Sequence, residues 1–172
     1  VPNFFTFDQQ QLPMSLNHFL EYLLLEKKYS MHTTTAYRCD LLAFQEFLKK
    51  ECGQEDLVHV NYPQIRSWIV SLVNGGYSNV SINRKVSSLR SFYKFLQKTK
   101  QINSSPLVKH RSLKTARKLQ IPFSEEEVRR ALNADEAKTF EEKRNKLIVE
   151  LFYSTGIRRA ELISVKLSDV SF

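Results

Sequence analysis

The sequence contains no aspartate or glutamate from Leu57 to Ser124, although acidic residues are common on both sides of that stretch. The same stretch holds twelve basic residues: Arg66, Arg84, Lys85, Arg90, Lys94, Lys98, Lys100, Lys109, Arg111, Lys114, Arg117 and Lys118. Because the whole chain has a net charge of +8, the residues outside the stretch sum to a negative charge. Cations without neighbouring carboxylates need an external polyanion, and nucleic acid is the commonest one. A solvated basic face is the alternative, although ordinary protein surfaces mix both signs of charge.

Glycine, cysteine and long apolar runs are also scarce. Four glycines in 172 residues, with almost no alternation of polar and apolar positions, indicate an α-rich fold. The two cysteines, Cys39 and Cys52, form no zinc-ligand spacing with the histidines, so we expect a reduced, cytosolic protein without a metal site. No apolar run approaches membrane-spanning length, and no signal peptide is recognisable at the first residues.

Apolar residues recur at helical spacing over four segments that follow an irregular arm of residues 1–14. The predicted helices run from Leu16 to about Lys28, from Thr33 to Gly53, from Pro63 to Asn74 and from Ser78 to about Lys98. The predicted buried faces of the last two are Ile65, Trp68, Ile69, Leu72 and Val73, and Ile82, Val86, Leu89, Tyr93 and Leu96.

The fourth helix combines this apolar stripe with a polar face of alternating cations and hydroxyls. The residues of that face are Arg84, Ser87, Ser91, Lys94 and Lys98. Both side-chain types donate hydrogen bonds to phosphate oxygens, and serine is short enough to let a DNA backbone approach. On an ordinary exposed helix, a glutamate four residues away often pairs with each lysine. No such glutamate is present here. The pattern predicts contact with a DNA groove.

Two further segments complete the organisation. Residues 104–121 are basic and poor in apolar side chains, which predicts an interdomain linker that either follows a phosphate backbone or has no role in binding. Ser124 and Glu127 form a capping-box pattern, so a second domain is predicted over 122–172 after a first domain over 1–103. Its helices are predicted to bury Val128, Leu132, Leu147, Ile148, Leu151 and Phe152.

Gly156 is predicted to end one helix just before another begins at about Arg158. Arg158 and Arg159 are then poorly placed electrostatically, because the start of a helix is already positive. A bound anion between the guanidinium groups and the free backbone N–H groups would explain them. A chance capping arrangement is the alternative.

The segment from Tyr153 to Leu162 resembles the first conserved box of the tyrosine recombinase (phage integrase) family, Thr-Gly-hydrophobic-Arg-x-x-Glu-Leu. Other segments in the right order are similar to Xer-type members of that family: 26–30, 33–41, 81–96, 123–128 and 166–170. The chain is thereby identified as resembling this family from about Leu16 onwards.

The resemblance implies an all-α fold for this chain, with a SAM-like four-helix core-binding domain followed by the helical beginning of an α+β catalytic domain. It implies double-stranded DNA and other recombinase protomers on paired sites as partners, and no metal or nucleotide cofactor. Arg158 would contact the scissile phosphate, Glu161 would support that arginine, and Arg159 would be a second phosphate contact or plain surface. The expected DNA contacts are Thr33, Thr34, Arg84, Lys85, Ser87, Ser88, Arg90, Ser91, Lys94, Lys98, Lys109, Arg111, Lys114, Arg117 and Lys118.

The rest of the family's catalytic machinery is not recognisable in the sequence. No His-x-x-Arg occurs, and none of the seven tyrosines stands in the context of the family's nucleophile. Cleavage in the family forms a covalent phosphotyrosine, so we expect an N-terminal piece of a recombinase that binds duplex DNA without cutting it. Two other interpretations stay open: a non-catalytic helical DNA-binding regulator or recombination accessory protein, and a helical module whose basic face meets an acidic protein.

Overall fold

The computed structural model describes residues 13–116, 119, 121–133 and 139–169. The chain forms two units, Val1–Ala116 and Arg117–Phe172, and their boundary lies inside the predicted linker. Most of the predicted arm, together with Arg117 and Lys118 of the expected DNA contacts, lies outside the described residues.

Four helices build the first unit: α1 (Met14–Leu25), α2 (Met31–Cys52), α3 (Tyr62–Asn74) and α4 (Asn79–Lys98). The predicted all-α fold is confirmed, since the described residues contain helices and no strand. Local chemistry explains the boundaries, because Ser78 accepts a hydrogen bond from the Ser81 N–H, and Gly53 ends α2 with a φ of 65° that favours glycine. α2 begins at Met31, two residues before the predicted Thr33, because Ser30 caps it by accepting the Thr33 N–H.

The core of the first unit lies among these helices. The predicted inner face of α4 is confirmed, because Ile82, Val86, Leu89, Tyr93 and Leu96 are all buried. Aromatic rings join the helices, with Phe19 of α1 5.4 Å from Phe92 and Phe44 of α2 4.8 Å from Trp68 between ring centroids. The prediction for Val73 is wrong: it is 48% exposed, because it lies in the last turn of α3 beyond the stripe that packs on α2 and α4.

The first part of the predicted linker packs on this unit. Leu107 is 3% exposed in the core, and Leu113 packs against it half-buried, as does Ile102 just before the predicted linker. These few apolar side chains therefore hold a segment whose composition alone suggested free chain.

The second unit contains α5 (Glu125–Asn133), α6 (Phe140–Thr155), α7 (Arg159–Ser164) and a 3₁₀ turn (Leu167–Asp169). α5 and α6 begin with the predicted type of cap: the Glu127 N–H donates to Ser124, and the Glu142 N–H donates to Thr139. None of the described side chains of this unit is buried. The predicted burial of Leu147 and Phe152 is wrong, at 55% and 37% exposed, because among the described elements only the short α5 packs on α6.

Within the part of the chain that the structure describes, no helix combines the length and the apolar character needed to span a membrane.

Candidate nucleic-acid interface

The polar face of α4 lies at the surface of the first unit. Arg84, Ser87, Lys94 and Lys98 are exposed and Ser91 is half-buried, and the neighbouring Arg90 is exposed as well. Neither Arg90 nor Lys94 has an ion-pair or hydrogen-bond partner within the described residues. The middle of α4 therefore presents two unneutralised cations beside a serine hydroxyl.

A buried carboxylate, Asp40 of α2, anchors the first half of α4. Arg84 donates to both carboxylate oxygens at 2.7 Å, so the two groups form a bidentate pair. Lys85 donates to the same carboxylate at 3.1 Å and Ser88 at 2.7 Å. Burial disfavours the charge on Asp40, but the bonds from Arg84, Ser88 and Lys85 outweigh it and lower the pKa of that carboxyl.

The ion pair with Asp40 fixes the position of Arg84 and still leaves its guanidinium exposed. The Arg84 side chain is 53% exposed, whereas the Asp40 side chain is 2% exposed. Each terminal nitrogen of the guanidinium donates one N–H to Asp40. The other N–H groups remain available to a phosphate. Arg84 is thus a held cation at the surface rather than a mobile one.

Two expected contacts are corrected by their burial. Ser88 is 2% exposed and donates its hydroxyl to Asp40, and Thr34 is 6% exposed and donates to the Ser30 carbonyl. Both hydroxyls serve the packing of α2 and α4 because they face the interior of the bundle. Thr33 is half-buried with its hydroxyl 2.9 Å from that of Ser30, so it belongs to the cap of α2.

Lys98 at the end of α4 is tied to α1. Its ammonium lies 3.0 Å from Glu26 and 4.7 Å from the centre of the Tyr22 ring. Lys98 is exposed, but these contacts neutralise part of its charge, so it is a weaker candidate for a phosphate contact than Lys94.

Three of the expected DNA contacts after α4 also lie at the surface, namely Lys109, Arg111 and Lys114. The backbone around them is held on α4 by two asparagines, Asn79 and Asn83, which the sequence analysis did not select. Asp40 was not among the predicted functional residues either, although an aspartate one position from the apolar residues Tyr37, Leu41 and Phe44 of α2 was a usable signal.

In the second unit the arginine box has a defined local geometry. Gly156 ends α6 with a φ of 64°, and Arg158 is the residue immediately before α7. One oxygen of Glu161 accepts the Arg158 backbone N–H at 2.9 Å, and the other accepts from its guanidinium at 2.9 Å. The Arg158 side chain is 84% exposed, while Arg159 is exposed without a described partner. Glu161 therefore orients Arg158 and leaves most of its guanidinium open.

No group of three or more histidine, cysteine or carboxylate side chains among the described residues could hold a metal ion.

Comparison with known proteins identifies the fold of the first unit. Residues 16–100 match the model of the phage integrase N-terminal SAM-like domain. The tyrosine recombinase XerC of Oceanobacillus iheyensis is 33% identical over 94% of this chain and 53% of its own length. The corresponding proteins of Anoxybacillus flavithermus and Lacticaseibacillus casei are 34% and 36% identical over 95% and 90% of this chain.

The chain spans about half the length of the curated relatives that it matches, at 53%, 54% and 52% of the three named above. No solved structure gives a significant match. The helical architecture, the arginine box and these relatives agree: residues 16–100 match a phage integrase N-terminal SAM-like domain, and the chain is similar to tyrosine recombinases of the Xer type over about half of their length.

Proposed function

We propose that this chain binds duplex DNA through the exposed face of α4 and the cations that follow it, as the DNA-gripping part of a tyrosine recombinase. The whole protein would break and rejoin DNA strands at specific sites through a covalent phosphotyrosine, with several protomers assembled on paired sites. The relatives carry the name of that activity, and this chain corresponds to about half of their length.

The observation that supports DNA binding best is the pair Arg90 and Lys94, which are exposed on α4 without a carboxylate partner among the described residues. Ser87 lies on the same side, and Arg84 stands at the edge, held by Asp40. A phosphate backbone would supply the missing negative charge, and the release of its counterions would provide much of the binding free energy.

Arg158 is the residue through which this chain would contribute to the chemistry. A guanidinium aimed at the scissile phosphate stabilises the negative charge that develops when the phosphorus is attacked. Glu161 holds one terminal nitrogen and the backbone N–H of Arg158, so the arginine reaches the phosphate already oriented. None of the described tyrosines is assigned the nucleophilic step, so we expect this chain to bind DNA without forming a covalent adduct.

Fluorescence anisotropy of a labelled duplex, titrated with the 172-residue chain at several salt concentrations, tests the binding. With about four to six phosphates neutralised, log K should fall with log salt with a slope of about −4 to −5. Negligible duplex affinity at about 0.15 M salt, together with binding to an acidic polypeptide, would contradict the proposal and favour the protein-partner interpretation.

Incubation with a nicked suicide duplex, followed by denaturing electrophoresis, tests the second part of the proposal. We expect free DNA and free protein after denaturation, because binding here is electrostatic and no nucleophile is assigned. A protein band that stays attached to the DNA would contradict the expectation and would identify a tyrosine in this chain as the nucleophile.

A further inference from the structure

Asn83 of α4 both accepts a hydrogen bond from and donates one to the backbone of Leu113, thirty positions later. Its side-chain oxygen accepts the Leu113 N–H at 2.9 Å, and its side-chain nitrogen donates to the Leu113 carbonyl at 2.9 Å. An amide that pairs with both groups of one residue imitates the edge of a β-strand and fixes that residue in register. One turn earlier, Asn79 donates to the Lys114 carbonyl at 2.8 Å.

The segment of residues 107–114, called here the basic strap, runs lengthwise along α4. Leu113 is bound at Asn83, and Lys114 is bound one turn earlier at Asn79. Burial, and then the positive charge of Arg90 further along the helix, lower the pKa of His110. As the strap proceeds, its contacts move back along the helix, so the two run antiparallel. The stretch of α4 from Asn79 to Arg90 is about 16 Å long.

The strap is docked by its apolar side chains as well as by the asparagines. Leu107 is 3% exposed in the core and Leu113 is half-buried against it, whereas Lys109, Arg111 and Lys114 are all exposed. The face of α4 that carries Asn79 and Asn83 continues through Ser87 to Arg90 and Lys94, because these positions recur at spacings of three and four. The cations of the strap therefore flank the cations of the helix.

We propose that Asn83 is a positioning residue for DNA binding, which holds the basic strap against α4 so that the cations of both meet one stretch of phosphate backbone. The inference rests on the proposed function. A docked strap presents its three cations without first being ordered, and the avoided ordering cost increases the affinity. A strap released from Asn83 keeps the same charges but must be fixed when DNA arrives.

The first experiment measures the strap without DNA, by hydrogen exchange of the Leu113 amide in the 172-residue chain. We expect protection in the wild type, loss of protection in Asn83→Ala, and retained protection in Asn74→Ala, a matched change at the exposed end of α3. Asn83→Asp keeps an acceptor for the Leu113 N–H but has no donor for its carbonyl, so its protection should fall between the two. An unprotected Leu113 amide in the wild type would overturn the proposal.

The second experiment measures duplex affinity and its salt dependence for the same proteins. In Asn83→Ala we expect affinity about three- to tenfold weaker at about 0.1 M salt, with a salt slope close to that of the wild type because the strap keeps its charges, and no change in Asn74→Ala. Unchanged affinity in an Asn83→Ala chain whose Leu113 amide has lost protection would overturn the positioning role. If the wild type shows the protected amide but no duplex affinity, the proposed function is wrong and the positioning role is wrong with it. The hydrogen bonds between Asn83 and Leu113 would still be confirmed.

A second variant keeps the test decisive if Asn83→Ala does not fold. Lys109→Ala/Arg111→Ala/Lys114→Ala removes the charges of the strap and leaves both asparagines in place. We expect a protected Leu113 amide with affinity at least tenfold weaker and a salt slope shallower by about two to three. An unchanged affinity in this variant would overturn the proposal, because the position of the strap would then have no effect on DNA binding.

Discussion

Asp40 and Arg84 are 44 residues apart in the sequence and are joined by two hydrogen bonds of 2.7 Å each. The carboxylate lies buried between α2 and α4, and the guanidinium emerges at the surface of α4. One pair thus ties two helices of the core together and orients a cation of the proposed interface.

Replacement of Asp40 by asparagine is expected to destabilise the first unit. It removes the charge that accepts from Arg84, Lys85 and Ser88, and leaves the poorly exposed Lys85 ammonium without a counter-charge. The free energy of unfolding should fall by about 2 kcal/mol, since charged hydrogen bonds and a buried pair are lost while Arg84 can still reach water. Urea unfolding followed by the fluorescence of Trp68, the single tryptophan, measures it in this unit.

A matched control is Glu26→Gln, which breaks the surface pair with Lys98. It should change the free energy of unfolding far less than Asp40→Asn does, because exposed ion pairs contribute little. Equal effects of the two substitutions would contradict the structural importance given to Asp40.

The Asp40 contribution should also be lost in acid: its pKa is lowered in the folded state, so the stabilisation is present above the ordinary carboxyl pKa and disappears as the pH falls through the folded value.

His110 is expected to titrate below the ordinary histidine value of 6.5. Burial disfavours its charged form, and the nearby positive charge of Arg90 adds to the effect, so the folded pKa is lowered. The unfolded chain then binds the proton more tightly than the folded chain. The contribution of His110 to the free energy of unfolding is therefore fully present at pH values above 6.5 and is lost as the pH falls towards the folded pKa.

An NMR titration of the His110 ring protons measures this shift. Arg90→Ala should raise the pKa of His110 towards 6.5, whereas Arg90→Lys keeps the positive charge and should change it less. The same pKa in the wild type and in Arg90→Ala would show that the strap does not lie beside Arg90 as described.

Tyr93 is expected to tolerate the loss of its hydroxyl. The side chain is fully buried, and its hydroxyl has no hydrogen-bond partner among the described residues. Tyr93→Phe should therefore leave the free energy of unfolding unchanged or raise it by up to about 1 kcal/mol, because an unsatisfied buried group is removed. Leu89→Ala on the same helix, which opens a cavity, should lower it by about 3 kcal/mol. A loss above 1 kcal/mol in Tyr93→Phe, about the size of one hydrogen bond, would reveal a partner that the structure does not show.

Glu161 is expected to hold the start of α7. Glu161→Ala removes the acceptor of the Arg158 N–H, and hydrogen exchange of that amide should become about three- to tenfold faster, as for the loss of a helix cap. Glu161→Gln keeps a side-chain oxygen and should slow exchange relative to alanine. The same exchange rate in wild type and Glu161→Ala would contradict the orienting role given to this carboxylate.

The parts of the structure that follow from local periodicity could be predicted from the sequence. The apolar stripe of α4 repeats every three to four residues, and Ser78 and Gly53 carry the chemistry of a helix start and a helix end, so these features required no knowledge of distant contacts. The exposure of the polar face of α4 follows from the same periodicity.

The features that depend on long-range contacts could not be predicted in this way. Arg84 was predicted as a plain groove contact because nothing local shows that Asp40 reaches it, and residues 104–121 were predicted as a linker because a leucine at 107 gives no periodic signal. The exposure of Leu147 has the same origin, since an apolar side chain is buried only where another element covers it.

The exposed cations of α4 are proposed to bind a DNA backbone, and salt titration of Arg90→Ala/Lys94→Ala measures their contribution. The control Lys49→Ala/Lys50→Ala removes the same charge from the end of α2. We predict that the α4 variant binds a duplex at least tenfold more weakly than the control at about 0.1 M salt, with a slope shallower by about two. Equal affinity and equal slope in the two variants would contradict the claim and remove α4 from the interface.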